Sequence, residues 1–186
     1  MAAGSEAMKL TALDHDISNT ERGRRFWRRF WQVSALTGLI IVSGFGVKQL
    51  LEAGGIYLGY NETDSLSGTW YVVIAGEAPT QRGALIGYRG EANKRYPSGA
   101  MWVKIIGAVA GDTVQAHDRW FQVNGLSLYA KPVTRFGETL EPGPVGTIPP
   151  GHYFVYTHHT DSYDSRYADI GWIKPEQVVG RAYALF

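Results

Sequence analysis

Cysteine is absent from the 186-residue sequence, which removes a structural disulfide, a thiol nucleophile and a Cys-ligated zinc site together. A dominant charge is missing too. With 18 Lys and Arg against 17 Asp and Glu, the formal charge is +1, so no basic face is expected to hold a polyanion and nucleic acid is not an expected partner. Repeats and low-complexity tracts are also lacking. What is plentiful is glycine, at 23 residues, together with 6 Trp, 11 Tyr and 7 Phe. Scattered without period, they suit a turn-rich β protein better than a helical bundle or a disordered chain.

Charge disappears locally between Phe30 and Val47. At about 1.5 Å per residue this stretch reaches the lower limit for crossing a hydrocarbon core of about 30 Å as a helix. Arg22, Arg24, Arg25, Arg28 and Arg29 crowd in front of it, whereas Lys48 and Glu52 follow. The positive-inside tendency then keeps the N-terminus in the cytoplasm and sends the rest of the chain across. Ser43-Gly44-Phe45-Gly46 is a poor small-x-small cleavage site, so an anchor that is kept is favoured over a cleaved signal. Residues 1–20 show no apolar period and read as a short solvated tail. The expected organisation is a tail with a basic flank over 1–29, a transmembrane anchor over 30–50 and an exported β domain over 56–186.

That last part is long enough for a compact domain with its own core. Apolar and β-branched runs recur between Gly and Pro signals at Thr69 to Ala75, Ala84 to Tyr88, Met101 to Val109, Trp120 to Val123, Tyr153 to Thr157 and Val178 to Phe186. Each is expected to form a strand. The Pro- and Gly-rich segment Glu141 to Gly151 cannot hold a helix and reads as a loop. Pro175-Glu-Gln-Val-Val is the one helix candidate in the domain.

Within Met101-Trp-Val-Lys-Ile-Ile-Gly-Ala-Val-Ala110, a period of two puts Trp102, Lys104 and Ile106 on one face. Lys104 thus has apolar neighbours all round. It can be an edge-strand lysine that blocks aggregation, or one whose stem lies on Trp102 while the ammonium reaches water. The alternative is a desolvated amine, whose charged form is disfavoured so that its pKa falls towards neutrality. At pH 7 a fall from about 10.4 to about 8 raises the neutral fraction roughly 200-fold. Such an amine is a general base, and an unactivated serine hydroxyl is its natural client. Ser65 and Ser67, in the polar loop Tyr60 to Trp70, are both candidates, although a serine in a Gly-containing turn is most often only a turn residue.

Three segments in order resemble the conserved boxes of type I signal peptidases, the Ser-Lys membrane proteases, and most closely the TraF-type conjugative-transfer branch. Asn61-Glu-Thr63-Asp-Ser65-Leu66-Ser67-Gly68-Thr-Trp70 is similar to Asn-x-Thr-x-Ser-Leu-Pro-x-Gly-x-Tyr, without the proline. The match puts Ser65 on the nucleophile, with Ser67 as fallback. It puts Thr63 on a hydroxyl that joins the Ser65 N–H as an oxyanion donor. Val103-Lys104-Ile105-Ile106-Gly107-Ala-Val-Ala-Gly111-Asp112 is similar to Val-Lys-Arg-Val-Ile-Gly-Leu-Pro-Gly-Asp, with Ile105 in place of Arg and one residue inserted. Lys104 falls on the general base. Ser162-Tyr-Asp164-Ser165-Arg166-Tyr167, followed by Val179-Gly180-Arg181-Ala182, resembles Ser-x-Asp-Ser-Arg-Tyr and Val-Gly-Arg-Ala. By this match Ser162 hydrogen-bonds the lysine amine, and Asp164 and Arg166 form a supporting ion pair.

The resemblance implies a mostly β fold, a signal-peptidase-like antiparallel β domain carried on an N-terminal transmembrane helix. It implies a serine endopeptidase at the inner membrane with its catalytic domain on the periplasmic side. The implied substrate is a precursor protein bearing a signal peptide or pilin propeptide, and no metal or cofactor is required. An acyl-enzyme accepts an amine as well as water, so hydrolysis and cyclisation of the product both stay open. A histidine-based hydrolase using His117, His152, His158 or His159 lacks a Gly-x-Ser-x-Gly elbow, and adjacent His158 and His159 point to opposite faces of a strand, which disfavours shared metal ligation. A non-catalytic exported β module docking a pilus or secretion component would leave Lys104 merely structural.

Overall fold

In a computed structural model of the chain, the backbone is described for residues 3–61, 66, 68–76, 78–93, 95–96 and 98–185, with side chains from 23 onward. Helix α1 runs from Ala3 to Ala53. It therefore starts well before the apolar stretch, where a solvated tail was expected. Residues 3–22 hold no proline and many good helix formers, Ala, Met, Leu, Glu, Lys and Arg, and intrinsic propensity does not need a hydrophobic stripe. Gly23–Ala53 is long enough to cross a membrane and contains an 18-residue stretch apolar enough to do so, with a mean hydropathy of 1.6. Leu36, Leu39, Ile40, Ile41 and Val42 are all exposed, so this helix is apolar around its circumference in the manner of a lipid-facing span.

The chain divides into two compact units, Met1–Leu50 and Leu51–Phe186. Among its described residues the second contains ten strands: β1 (Ile56–Tyr60), β2 (Trp70–Ala75), β3 (Leu85–Arg89), β4 (Met101–Ala108), β5 (Thr113–His117), β6 (Trp120–Val123), β7 (Leu126–Tyr129), β8 (Gly146–Thr147), β9 (Phe154–Tyr156) and β10 (Val178–Ala184). They build a six-stranded sheet in the order β1-β2-β10-β3-β4-β9 and a four-stranded sheet in the order β7-β6-β5-β8. Every pairing is antiparallel. The fold is mostly β, as expected. The helix candidate after Pro175 is instead a 3-10 turn, Pro175–Gln177. Val178 already belongs to β10, because the β-branched pair Val178-Val179 is recruited by the sheet.

Two cores flank the central strands. Ile86, Tyr88, Ile106, Tyr153, Val155 and Ile173 form one. The other gathers Ala108, Val114, Phe121, Phe154, Tyr156 and Tyr167 with their neighbours. Strand alternation explains the division: Val155 turns towards the first core while Phe154 and Tyr156 turn towards the second. Lys104 shares the face of Ile106, and its cross-strand partner is Ile86. The lysine is thus built into the rim of the first core.

Candidate functional site

Lys104 sits on a strand paired on both sides, β3 on one and β9 on the other, so it is no edge-strand gatekeeper. Nor does its ammonium reach bulk water. The residue is 4% exposed, its Nζ lies 5.7 Å from the centre of the Trp102 ring, and Nζ donates to Ser162 Oγ at 2.9 Å. Burial pulls the amine down to about 8, against a weaker upward pull from Asp164, and Arg166 adds to the depression. Desolvation dominates because few dipoles inside this rim can replace the lost hydration of a cation.

Ser162 comes from the segment after β9, which is irregular yet almost wholly buried from Asp164 to Tyr167. An ion pair makes this possible. Arg166 Nε donates to Asp164 Oδ1 at 2.8 Å and Nη2 to Oδ2 at 2.8 Å, the bidentate geometry that suits guanidinium and carboxylate. The remaining donors are taken up by carbonyls of Tyr129 at 2.9 Å, Ser162 at 3.1 Å and His159 at 3.3 Å. Asp164 also accepts from the Thr157 N–H at 3.3 Å. Ser165 fastens the turn to β9 in both directions, its N–H donating to Val155 O at 3.1 Å and its Oγ accepting from Val155 N–H at 2.9 Å. On the far side Gly143 N–H donates to Arg166 O at 2.7 Å. A Cβ there would stand 2.2 Å from Ser165 O, so only glycine fits this close approach of two backbones.

Lys104 opens onto a cleft of about 390 Å³ lined by Gly59, Tyr60 and Asn61 at the end of β1, by Leu66 and Tyr71, and by Tyr96 and Ala100 to Val103. Thr63, Ser65 and Ser67 lie outside the described residues. Their described neighbours are well fixed: Asn61 Nδ2 donates to Leu66 O at 3.0 Å and Gly68 O at 3.1 Å, and Gly68 N–H donates to the Tyr71 hydroxyl at 2.8 Å. Leu66, the residue between the two candidate serines, therefore lines the same cleft as the lysine.

Of the residues expected at the site, the structure thus brings Lys104, Ser162, Asp164 and Arg166 into one connected network. The histidines stand apart from it in chemistry. His117 is exposed, His152 contacts Pro150 O, and His159 Nδ1 accepts from the N–H of Asp161 at 3.1 Å. Sequence reasoning missed Tyr96 and Tyr88. Tyr96 lies in a loop without any motif. Tyr88 is fully buried, and its hydroxyl is raised by burial and by the Asp164 charge. A polar tip inside an otherwise apolar strand was its only signal.

The family described as "Signal peptidase, peptidase S26" matches residues 29–186. No curated protein matches the chain. Among solved structures, a signal peptidase I from Enterococcus faecalis V583 is similar at 25% identity, with a TM-score of 0.37, covering 57% of this chain and 98% of its own. The family match spans both the apolar helix and the whole β unit with its lysine-centred network, and the chain belongs to the signal peptidase family, peptidase S26.

Proposed function

We propose that the chain is a membrane-anchored serine endopeptidase that removes signal peptides or propeptides from exported precursors through a Ser65–Lys104 dyad. The observation that carries this reading is a buried amine, pulled down to about 8, in the cleft that Leu66 also lines. Ser65 Oγ attacks the substrate carbonyl carbon while neutral Lys104 takes the hydroxyl proton. Thr63 Oγ and the Ser65 N–H donate to the developing oxyanion. The lysine ammonium returns the proton to the leaving amine, releasing the C-terminal product and leaving an ester on Ser65. Lys104 then draws a proton from the attacking water and hands it to Ser65 Oγ as the ester bond breaks, which frees the N-terminal product as its acid and restores the serine and the neutral amine. Ser162 fixes the amine in place through its 2.9 Å contact, and the Asp164–Arg166 pair holds Ser162.

The apolar helix would place the enzyme in the inner membrane, and the arginines before it would keep its N-terminus in the cytoplasm with the β unit in the periplasm. Similarity of the three boxes to the conjugative-transfer branch supports a pilin or other transfer-protein precursor as substrate. Co-expression of a candidate precursor with wild-type, Ser65→Ala, Ser67→Ala and Lys104→Ala forms tests the assignment. Cleavage is expected to survive only in the wild type and Ser67→Ala. Processing that persists in Lys104→Ala would remove the dyad. The product's mass tests cyclisation separately, since ring closure lowers it by one water relative to the linear chain.

A further inference from the structure

Ser162 Oγ is the contact that holds the lysine amine, and the Asp164–Arg166 pair fastens the segment from one side. Tyr163, between Ser162 and Asp164 in the chain, is held separately. It is half-buried and packs against the second core, its ring stacked on that of Tyr167 at 5.4 Å between centres and 23° between planes. The Arg95 guanidinium lies 5.2 Å from the Tyr163 ring centre, and the Tyr96 ring lies 5.9 Å from it. The phenol is engaged twice: it donates to Asp169 Oδ2 at 2.5 Å and accepts from Arg95 Nη1 at 3.0 Å.

Arg95 comes from the distant β3–β4 connection. Its own backbone is fixed there, because Asn93 Oδ1 accepts from the N–H groups of Arg95 at 2.8 Å and Tyr96 at 3.0 Å. Nη1 also donates to Asp169 Oδ2 at 2.7 Å and Nε to Glu138 Oε2 at 3.1 Å. Its side chain is only 16% exposed. A guanidinium forked between two carboxylates and lying against a ring loses little freedom when it clamps a phenol. An irregular turn has no ladder of hydrogen bonds, so its shape depends on such side-chain ties. Displacement by about 1 Å at a catalytic contact costs on the order of 100-fold in rate, and a Tyr163 that swings carries the Ser162 backbone with it.

We infer that Tyr163 is a positioning residue for the cleavage reaction: clamped by Arg95 and Asp169, it sets the backbone that aims Ser162 Oγ at Lys104 Nζ. This deepens the peptidase reading above and rests on it. A hydroxyl accepts more strongly from an ammonium than from a neutral amine, so loosening the clamp moves the midpoint of the pH rise in kcat/KM down. The ionisable groups facing Lys104 are Asp164 and Arg166 after β9 and Tyr88 on the same face of β3. Those facing Tyr163 are Arg95, Asp169, Tyr96 and Tyr167, with Glu138 behind Arg95. Loss of the Arg95 cation would by Coulomb attraction alone move the midpoint up. The two causes therefore differ in sign.

The test uses the full-length protein in detergent with a cleavable precursor, and follows kcat and KM across the pH rise. Tyr163→Leu is expected to lower kcat by about 10-fold or more while KM stays within about 2-fold, and to move the midpoint down by about half a unit or more. Tyr163→Phe and Arg95→Gln are expected to act in the same direction by smaller factors, and they carry the test if the leucine variant does not fold. In a Ser162→Ala background, Tyr163→Leu is expected to add no further loss, since both act on one contact. Unchanged kcat and midpoint in these variants, a midpoint that moves up, or a full additional loss in the Ser162→Ala background overturns this inference and leaves the peptidase reading standing. If wild type cuts no precursor, like Ser65→Ala, the peptidase reading falls and this inference with it.

Discussion

Lys104 is held where a cation is least welcome, and this has two measurable consequences. In the proposed role of base it must be neutral, so kcat/KM is expected to rise with pH and level off above about 8, the value to which burial pulls the amine. Stability should show the same group with its own sign. Below about 8 the amine is protonated in both folded and unfolded chains, and the burial penalty is fully present. Between about 8 and 10.5 the unfolded chain binds more protons than the folded one, so stability rises with pH across that window. The rise is about 3 kcal/mol at most. Lys104→Met is expected to abolish cleavage and to flatten this rise, which denaturant melts at pH 7 and pH 10 would detect. A melt equally pH-dependent in the variant would assign the rise to other groups.

At the scale of elements, the irregular segment Ser162–Tyr167 does more to organise the site than any strand except β4. Its burial depends on mutual neutralisation of Asp164 and Arg166, whose side chains are 0% and 3% exposed. Removing one partner strands the other charge, so Asp164→Ala and Arg166→Ala are each expected to destabilise by about 3–5 kcal/mol. The double variant Asp164→Leu with Arg166→Met should lose much less than the sum, since no charge is left behind. Additive losses in urea unfolding would mean that the pair is not the organising contact. Elements of this kind were legible in the sequence only by resemblance, because a buried turn has no hydrophobic period. Strands with strong period or β-branched runs were legible from chemistry: Trp120–Val123 was read with its observed bounds, and Met101–Ala108 within one residue. Missed were β1, β5, β7 and β8. Thr113–His117 has a single buried residue, Val114, too little for a pattern. Leu126–Tyr129 is paired through the two-residue turn Asn124-Gly125, both at positive φ, a hairpin signal that was overlooked. Lys104 was legible as an anomaly, whereas Tyr96 owes its place to Arg95 contacts with residues far along the chain.

For the whole molecule, the decisive asymmetry is electrostatic. A near-neutral chain concentrates arginines at 22, 24, 25, 28 and 29, immediately before the apolar stretch of the helix, whose far end carries only Lys48 and Glu52. Lysine and arginine near a span are held on the cytoplasmic side, and reversing that bias is enough to change orientation in many single-span proteins. A C-terminal epitope tag is therefore expected to resist added protease in intact cells and to be digested in spheroplasts. Replacing Arg24, Arg25, Arg28 and Arg29 by Glu should shift a substantial fraction of the tag into the protected pool. Precursor cleavage should fall in proportion, because a catalytic unit left in the cytoplasm cannot meet a substrate on the other side. A tag protected in wild-type spheroplasts would reverse the proposed orientation. Protection gained without lost cleavage would mean that catalysis does not depend on the side the β unit faces.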